Sequence, residues 1–102
     1  HNVISLNLGG NGLRNSEIIG SVIECCTSLR HLNLSMNKLG DVGIESIAAA
    51  MKHCTSLAQL DLHDNSFTQA GASFLAASLH PCLESLDISD NSINDEGMTS
   101  LA

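Results

Sequence analysis

Apolar and polar positions follow one pattern that recurs four times along the chain. Each copy has apolar residues at its first, fourth and sixth positions and an asparagine at its ninth. The third copy, from Leu57 to Asn65, shows the pattern most plainly, with Leu60 and Leu62 inside it. The closing asparagines are separated by 26, 28 and 26 residues, which leaves room for one strand, one helix and two connections per unit. A fixed period of this length predicts a solenoid of stacked repeats.

Alternation of apolar and polar residues predicts a short strand in each unit, over 4–8, 30–34, 58–62 and 84–88. One side of these strands is leucine-rich and predicted to enter the core. The other side, here called the open face, is polar and consists of Ser5, Asn7, His31, Asn33, Gln59, Asp61, Ser85 and Asp87. Parallel sheets covered by helices on both sides are apolar on both faces. We therefore expect the open face to meet water.

Helical spacing of apolar residues follows each strand. It predicts helices over 16–25 and 41–52, and a third that contains Ala72, Leu75, Ala76 and Leu79 and ends at His80-Pro81. The last unit stops within what would be its helix, at 97–102. The predicted organisation is one domain, 1–102, with repeats of about 3–28, 29–56, 57–82 and an incomplete 83–102. Neither end carries a polar cap, so we expect a segment of a longer array with flanking repeats or caps.

The template of leucines closed by asparagine resembles the leucine-rich repeat family, in its ribonuclease-inhibitor-like subtype, from Val3 to Ala102. The resemblance implies an α/β fold, a right-handed solenoid with a curved parallel sheet inside and helices outside. Curvature also follows from spacing, because strands stack about 4.8 Å apart and helices pack about 8 to 10 Å apart. In this family the asparagines, here Asn11, Asn37, Asn65 and Asn91, form a buried ladder that bonds the backbone of neighbouring turns.

Charge is distributed unevenly along the chain, whose formal net charge is −7. All four basic residues lie within the first 52 residues, where four acidic residues balance them, and the seven acidic residues that follow are unopposed. An acidic chain without a basic patch does not suit nucleic acid or an anionic membrane as its partner. No apolar run approaches the roughly 18 residues of a membrane span. An acidic surface suits a basic protein or peptide.

Three cysteines recur with the period of the repeat. They are Cys26, Cys54 and Cys82, spaced 28 residues apart at the predicted turn from helix to strand. Buried thiols act as small apolar side chains, and this placement favours reduced cysteines and a cytoplasmic location. An even number of cysteines, four, would also permit disulfides in a secreted protein.

Motifs of catalysis do not occur in the sequence. There is no nucleophile elbow, phosphate-binding glycine loop or paired metal-ligand spacing, so the sequence predicts neither an enzyme nor a cofactor. His53-Cys54 and His80-Pro81-Cys82 could be imagined as metal ligands at the repeat corners. Turn-filling residues are the favoured interpretation of both pairs, so no metal site is predicted.

The candidate binding site lies on the open face and in the turns that follow it. Stacking is expected to set Asp61 beside Asp87 and Asp64 beside Asp90, with His63 between the rows. Like charges about 4.8 Å apart repel unless a cation or a basic partner is present. The candidate partner-binding residues are His31, Asn33, Met36, Gln59, Asp61, His63, Asp64, Ser85, Asp87 and Asp90. Alternatively, the acidic residues only keep an exposed sheet soluble.

Three functions from different classes remain open. The resemblance favours a non-enzymatic protein-binding module in a scaffold, inhibitor or sensor receptor. A regulator of a small GTPase is the second, because the Ran GTPase-activating protein shares this repeat class, which is an analogy of fold alone. The third is a structural spacer. If the chain is a binding module, changes to open-face residues should abolish partner binding. If it is a GTPase regulator, it should accelerate GTP hydrolysis. A spacer should show neither effect.

Overall fold

The leucine pattern folds into a parallel sheet. A computed structural model of the protein describes residues 4–10, 20–21, 23–24, 27–79 and 83–93. Within these residues there are four strands, β1 (Ser5–Asn7), β2 (His31–Asn33), β3 (Gln59–Asp61) and β4 (Ser85–Asp87). They form one parallel sheet in chain order, and equivalent residues of successive units are in register. The predicted strands are confirmed in position, although each is one residue shorter at either end.

Two helices are described in full, α1 (Gly40–Met51) and α2 (Gln69–Ser78), and they pack against each other. The first begins and ends one residue before the predicted range. The second is shorter than expected, because Leu79 already has an extended backbone and lies beyond the helix end. Of the helix predicted over 16–25, Gly20, Ser21, Ile23 and Glu24 are described and are helical.

The core lies between the sheet and the helices. Four leucines in or next to the two central strands are at most 2% exposed, and they share one core cluster with buried residues of α1 and α2. These leucines are Leu32, Leu34, Leu60 and Leu62. Their counterparts in the outer strands, Leu6, Leu8, Leu86 and Ile88, are only partly buried. Among the described residues, Phe67 is the largest fully buried side chain, and the leucine template did not predict it.

The bonds of the predicted asparagine ladder are present at the three described positions, although Asn91 is only partly buried. Asn37 and Asn65 are fully buried. The amide nitrogen of Asn65 donates to the carbonyls of Leu34 (2.9 Å) and Leu62 (3.0 Å), and its oxygen accepts the backbone N–H of Asn37 (3.0 Å). Asn91 does the same for Asn65 at 2.8 Å. Each ladder residue therefore joins two repeats.

Several predictions fall on residues that the structure does not describe, namely Asn11, Cys26, Cys82, the end of a helix at His80-Pro81, and the helix over 97–102. The remaining periodic cysteine, Cys54, is fully buried as expected, and its thiol lies 3.5 Å from the carbonyl oxygen of Ile23. Among the described residues, no helix combines the length and the apolar character that a membrane crossing requires. The parallel sheet and its helices fit an α/β repeat fold.

Candidate functional site

The open face forms a groove that crosses all four described strands, with a volume of about 350 Å³. Six of the candidate residues line it, and they are His31, Asn33, Gln59, Asp61, Ser85 and Asp87. The other four, Met36, His63, Asp64 and Asp90, follow the strands in the turns. The described residues that line the groove include no lysine or arginine. The groove is therefore neutral beside β1 and acidic beside β3 and β4.

Each strand ends on an asparagine or aspartate that bonds the turn after it. In every unit, the side-chain oxygen of this residue accepts the backbone N–H two residues later, at 2.9 to 3.1 Å. The four pairs are Asn7–Gly9, Asn33–Ser35, Asp61–His63 and Asp87–Ser89. Such bonds turn the backbone locally, which explains why the strands stop after three residues. Sequence reasoning missed these bonds, although an Asn or Asp at the fifth template position of all four units is a visible signal.

His63 lies between two carboxylates of neighbouring strands. Its Nδ1 is 2.7 Å from Oδ1 of Asp61 and 4.0 Å from Oδ2 of Asp87. Asp61 and Asp87 are direct partners in the β3–β4 register, as the repeat spacing predicted. The hydrogen bond to Asp61 raises the pKa of His63 above its ordinary 6.5, more than burial lowers it, and the charges of Asp61, Asp87 and Asp90 add to the rise.

Asp87 stays ionised in this arrangement. The hydroxyl and the backbone N–H of Ser89 donate to its Oδ1, at 2.6 and 3.0 Å. These bonds, opposed by burial and assisted by the charge of His63, hold the pKa of Asp87 below its ordinary 3.8. When the imidazole of His63 is protonated, its positive charge offsets the repulsion between the carboxylates of Asp61 and Asp87.

The turn after each strand contains a left-handed residue. Met36, Asp64 and Asp90 occupy equivalent positions with φ of 55°, 56° and 58°, and Gly10 does so with φ of 69°. Glycine and aspartate adopt this conformation readily, whereas methionine seldom does. Met36 is also 50% exposed, so an apolar side chain stands in water beside the groove.

The neutral part of the groove has a polar contact of its own. Nδ1 of His31 on β2 lies 2.7 Å from Oε1 of Gln59 on β3, and these two residues are also register partners. This bond spans adjacent repeats on the groove floor. It therefore fixes two of the candidate binding residues relative to each other.

Three side chains could hold a metal ion among the described residues. The ligand atoms of Asp61, His63 and Asp87 lie within 4.8 Å of one another. In the structure, two of those atoms are joined by the Asp61–His63 hydrogen bond, which a metal would have to replace. At the repeat corner, His53 is exposed whereas Cys54 is fully buried, so these neighbours do not face one site. His80 and Cys82 lie outside the described residues.

Comparisons with known proteins agree with the repeat pattern. Residues 25–48, 53–76 and 80–102 match a family model described as Leucine Rich repeat. The three matches together cover more than half of the chain. A comparison with curated proteins found no match.

Proposed function

The chain belongs to the leucine-rich repeat family, and from this membership we propose that it is a non-enzymatic module that binds a protein partner through its open face. Leucine-rich repeat domains generally mediate protein–protein interaction. The observation that carries the proposal is the groove across the described strands, which is lined largely by polar side chains. The opposite side of the same strands is occupied by the core. An extended polar surface on a rigid sheet suits recognition of another chain.

The proposed architecture is a right-handed solenoid of the ribonuclease-inhibitor-like subtype, with the sheet on its inner, concave side. The long repeat supports the subtype, because 26 to 28 residues accommodate a helix in each unit. The unequal spacing of strands, about 4.8 Å, and of helices, about 8 to 10 Å, supports the curvature. In this arrangement the groove lies at the bottom of the arc, where a partner is held from several sides.

The proposed partner is a basic protein or peptide. Four carboxylates of repeats three and four, here called the acidic cluster, support this choice; they belong to Asp61, Asp64, Asp87 and Asp90. Two of them line the groove and two follow in the turns, and no lysine or arginine lies among the described lining residues. Opposite charge speeds encounter and selects among partners. Nucleic acid and anionic membrane do not suit such a surface.

Met36 supports a contact role for the turn beside the groove. A left-handed backbone costs an ordinary residue about 1 to 2 kcal/mol, and Met36 has this conformation with its side chain half exposed. The other three units have glycine or aspartate at the equivalent position, so Met36 is the one apolar side chain there. We propose that Met36 supplies apolar contact at one edge of the groove, while the acidic cluster supplies charge at the other.

A cytoplasmic location is part of the proposal. It is supported by Cys54, whose fully buried side chain acts as part of the apolar core. A buried cysteine that acts as a small apolar side chain suits a reducing compartment.

The experiment compares two double variants that each lose two negative charges, one in the acidic cluster and one on the helices. Asp64→Asn/Asp90→Asn removes two charges from the acidic cluster, and asparagine tolerates the left-handed backbone at both sites. Glu24→Gln/Glu45→Gln removes two charges from exposed helical positions. Each protein is used to recover partners from cell extract at low and moderate salt. If the open face binds the partner, the wild type and the helix variant should recover similar amounts of one protein. The cluster variant should recover about fivefold less, and moderate salt should lower the recovery.

Equal recovery by both variants would remove the acidic cluster from the binding site. Recovery of no specific partner by any of the three proteins would favour a spacer.

A further inference from the structure

His63 is the one member of its repeat position that can titrate near neutral pH. The equivalent residues in the other units are Gly9, Ser35 and Ser89. Ser35 and Ser89 donate their hydroxyls to the strand-ending side chain of their own unit, at 2.7 and 2.6 Å. His63 makes the matching bond to Asp61 at 2.7 Å and also reaches toward the next strand. Replacing serine by histidine therefore keeps the local turn and adds a group that extends to the neighbouring repeat.

The second carboxylate is oriented toward the imidazole. Oδ1 of Asp87 accepts the two bonds from Ser89, and Oδ2 faces Nδ1 of His63 at 4.0 Å. Asp61 and Asp87 are adjacent in the register, so a charge placed between them acts on both. His63 is 28% exposed, so water reaches the ring and supplies or takes up its proton.

The charged groups of the described residues that act on the ring are acidic. From its own unit Asp61 contacts it and Asp64 follows it in the turn, and from the β4 unit Asp87 and Asp90 act on it. On the β2 side, the residue in register with Asp61 is the uncharged Asn33.

We propose that His63 is a pH-dependent link between the third and fourth repeats. In its protonated form the imidazolium binds Asp61 and attracts Asp87, which joins β3 to β4 through side chains. Loss of the proton to water removes the link and leaves two adjacent carboxylates on the groove with no cation between them.

The direction of the pH effect follows from the environment of the ring. The folded state raises the pKa of His63, so it binds the proton more tightly than the unfolded chain. The stabilising link is therefore fully present below the ordinary histidine value of 6.5 and is lost as the pH rises through the raised pKa. Asp87, whose pKa is lowered from 3.8, remains a carboxylate throughout this range.

A consequence for binding rests on the proposed function. Deprotonation of His63 makes the groove more negative by one charge. A basic partner would therefore bind more tightly as the pH rises through the same range, whereas the link between the repeats weakens.

The chain offers matched variants for a test. His63→Ser installs the residue that repeats two and four carry, so the turn bond is kept and the titrating group is lost. Asp87→Asn keeps an acceptor for Ser89, as Asn33 does for Ser35, and removes the charge. Asp64→Asn is the control, because it removes an equal charge from the turn beside His63.

The first measurement is an NMR titration of the His63 ring, with EDTA present, in the folded protein and in concentrated urea. The link predicts a higher pKa in the folded wild type than in urea, a fall in Asp87→Asn, and a smaller change in Asp64→Asn. An unchanged pKa in Asp87→Asn would overturn the link to the fourth repeat.

The second measurement is the urea midpoint of the wild type and of His63→Ser, from about pH 5.5 to about pH 8.5, the range in which histidine titrates. The urea midpoint of the wild type should exceed that of His63→Ser most at the acidic end. The difference should disappear above the pKa of His63 in the folded protein. A constant difference across this range would overturn the proposal. Neither measurement involves a partner, so failure here leaves the binding proposal standing, and failure to find a partner leaves the link standing.

Discussion

At the scale of single residues, the ladder asparagines each make several hydrogen bonds to backbone groups. A side-chain amide offers two donors and an acceptor, and Asn65 uses them on backbone groups of its own repeat and of the preceding one. Because the side chain is fully buried, water cannot replace these bonds. The ladder therefore aligns the repeats as well as stabilising each turn.

Replacing Asn65 by alanine should lower the free energy of unfolding by about 3 kcal/mol, because a buried group left without its hydrogen bond costs about 1 to 3 kcal/mol. The control is Asn7→Ala, an exposed asparagine with one bond to the N–H of Gly9. Its loss should cost about 1 kcal/mol or less. Urea denaturation measures both values. Equal effects of the two substitutions would mean that burial does not decide the worth of the amide.

At the scale of elements, Asp41 connects one helix to the next. It lies in the first turn of α1, and its carboxylate accepts the N–H of Thr68, the hydroxyl of Thr68 and the N–H of Gly71, each at 2.8 Å. These donors belong to the beginning of α2, where a negative charge is favourable. Burial raises the pKa of Asp41, but the bonds from Thr68 and Gly71 outweigh it and the pKa is lowered.

Asp41→Asn should lower the free energy of unfolding by about 1 to 2 kcal/mol at neutral pH, the usual worth of a helix cap. Because the folded state lowers the pKa of Asp41, this difference from the wild type is fully present above the ordinary 3.8 and is lost as the pH falls through the lowered value. Denaturation midpoints at neutral pH and at several acidic values measure it. A difference that stays constant with pH would show that the charge of Asp41 has no part in the cap.

Two glycines at helical positions should respond to alanine with opposite signs. In general, alanine favours a helix over glycine by about 1 kcal/mol. A Cβ at Gly20 would meet only ordinary contacts, the nearest being Ala50 at 3.7 Å, so Gly20→Ala should be neutral or stabilising by about 0.5 kcal/mol. A Cβ at Gly71 would lie 2.7 Å from Oδ1 of Asp41 and 2.8 Å from Phe67.

Gly71→Ala should therefore destabilise the protein by about 1 to 3 kcal/mol, since overpacking outweighs the gain in helix propensity. Thermal denaturation of the two variants, measured side by side, checks the signs. Stabilisation by Gly71→Ala would contradict the close approach between α1 and α2.

At the scale of the whole molecule, the period of the sequence determined most of what could be predicted. Four copies of one template give four independent views of a unit, so the strand positions and the buried leucines followed from spacing. The ladder was implied by the resemblance to the leucine-rich repeat family. The pairing of Asp61 with Asp87 followed in the same way, from their separation of one period. A repeat fold makes long-range neighbours readable, because residues one period apart lie side by side.

The sequence did not reveal features that depend on departures from the template or on the reach of one side chain. Phe67 lies outside the leucine positions, yet it is fully buried within the apolar core. Asp41 appears in the sequence as an ordinary residue of a helix start, and only the structure shows that it bonds the following repeat. The bond between His63 and Asp61 depends on the orientation of the ring, which spacing does not specify. The left-handed backbone of Met36 belongs to a turn position that is left-handed in all four units, and the leucine template does not specify it.

Site-specific photo-crosslinking shows whether a protein partner contacts the open face. A photoreactive amino acid is placed at Gln59 or Ser85, which are exposed on the open face, or at Ala49 or Ser73, which are exposed on α1 and α2. After irradiation in cell extract, covalent adducts are counted for each position. We predict adducts to the same partner from positions 59 and 85 and few from 49 and 73. Adducts mainly from the two helix positions would mean that the partner binds the helices and not the open face.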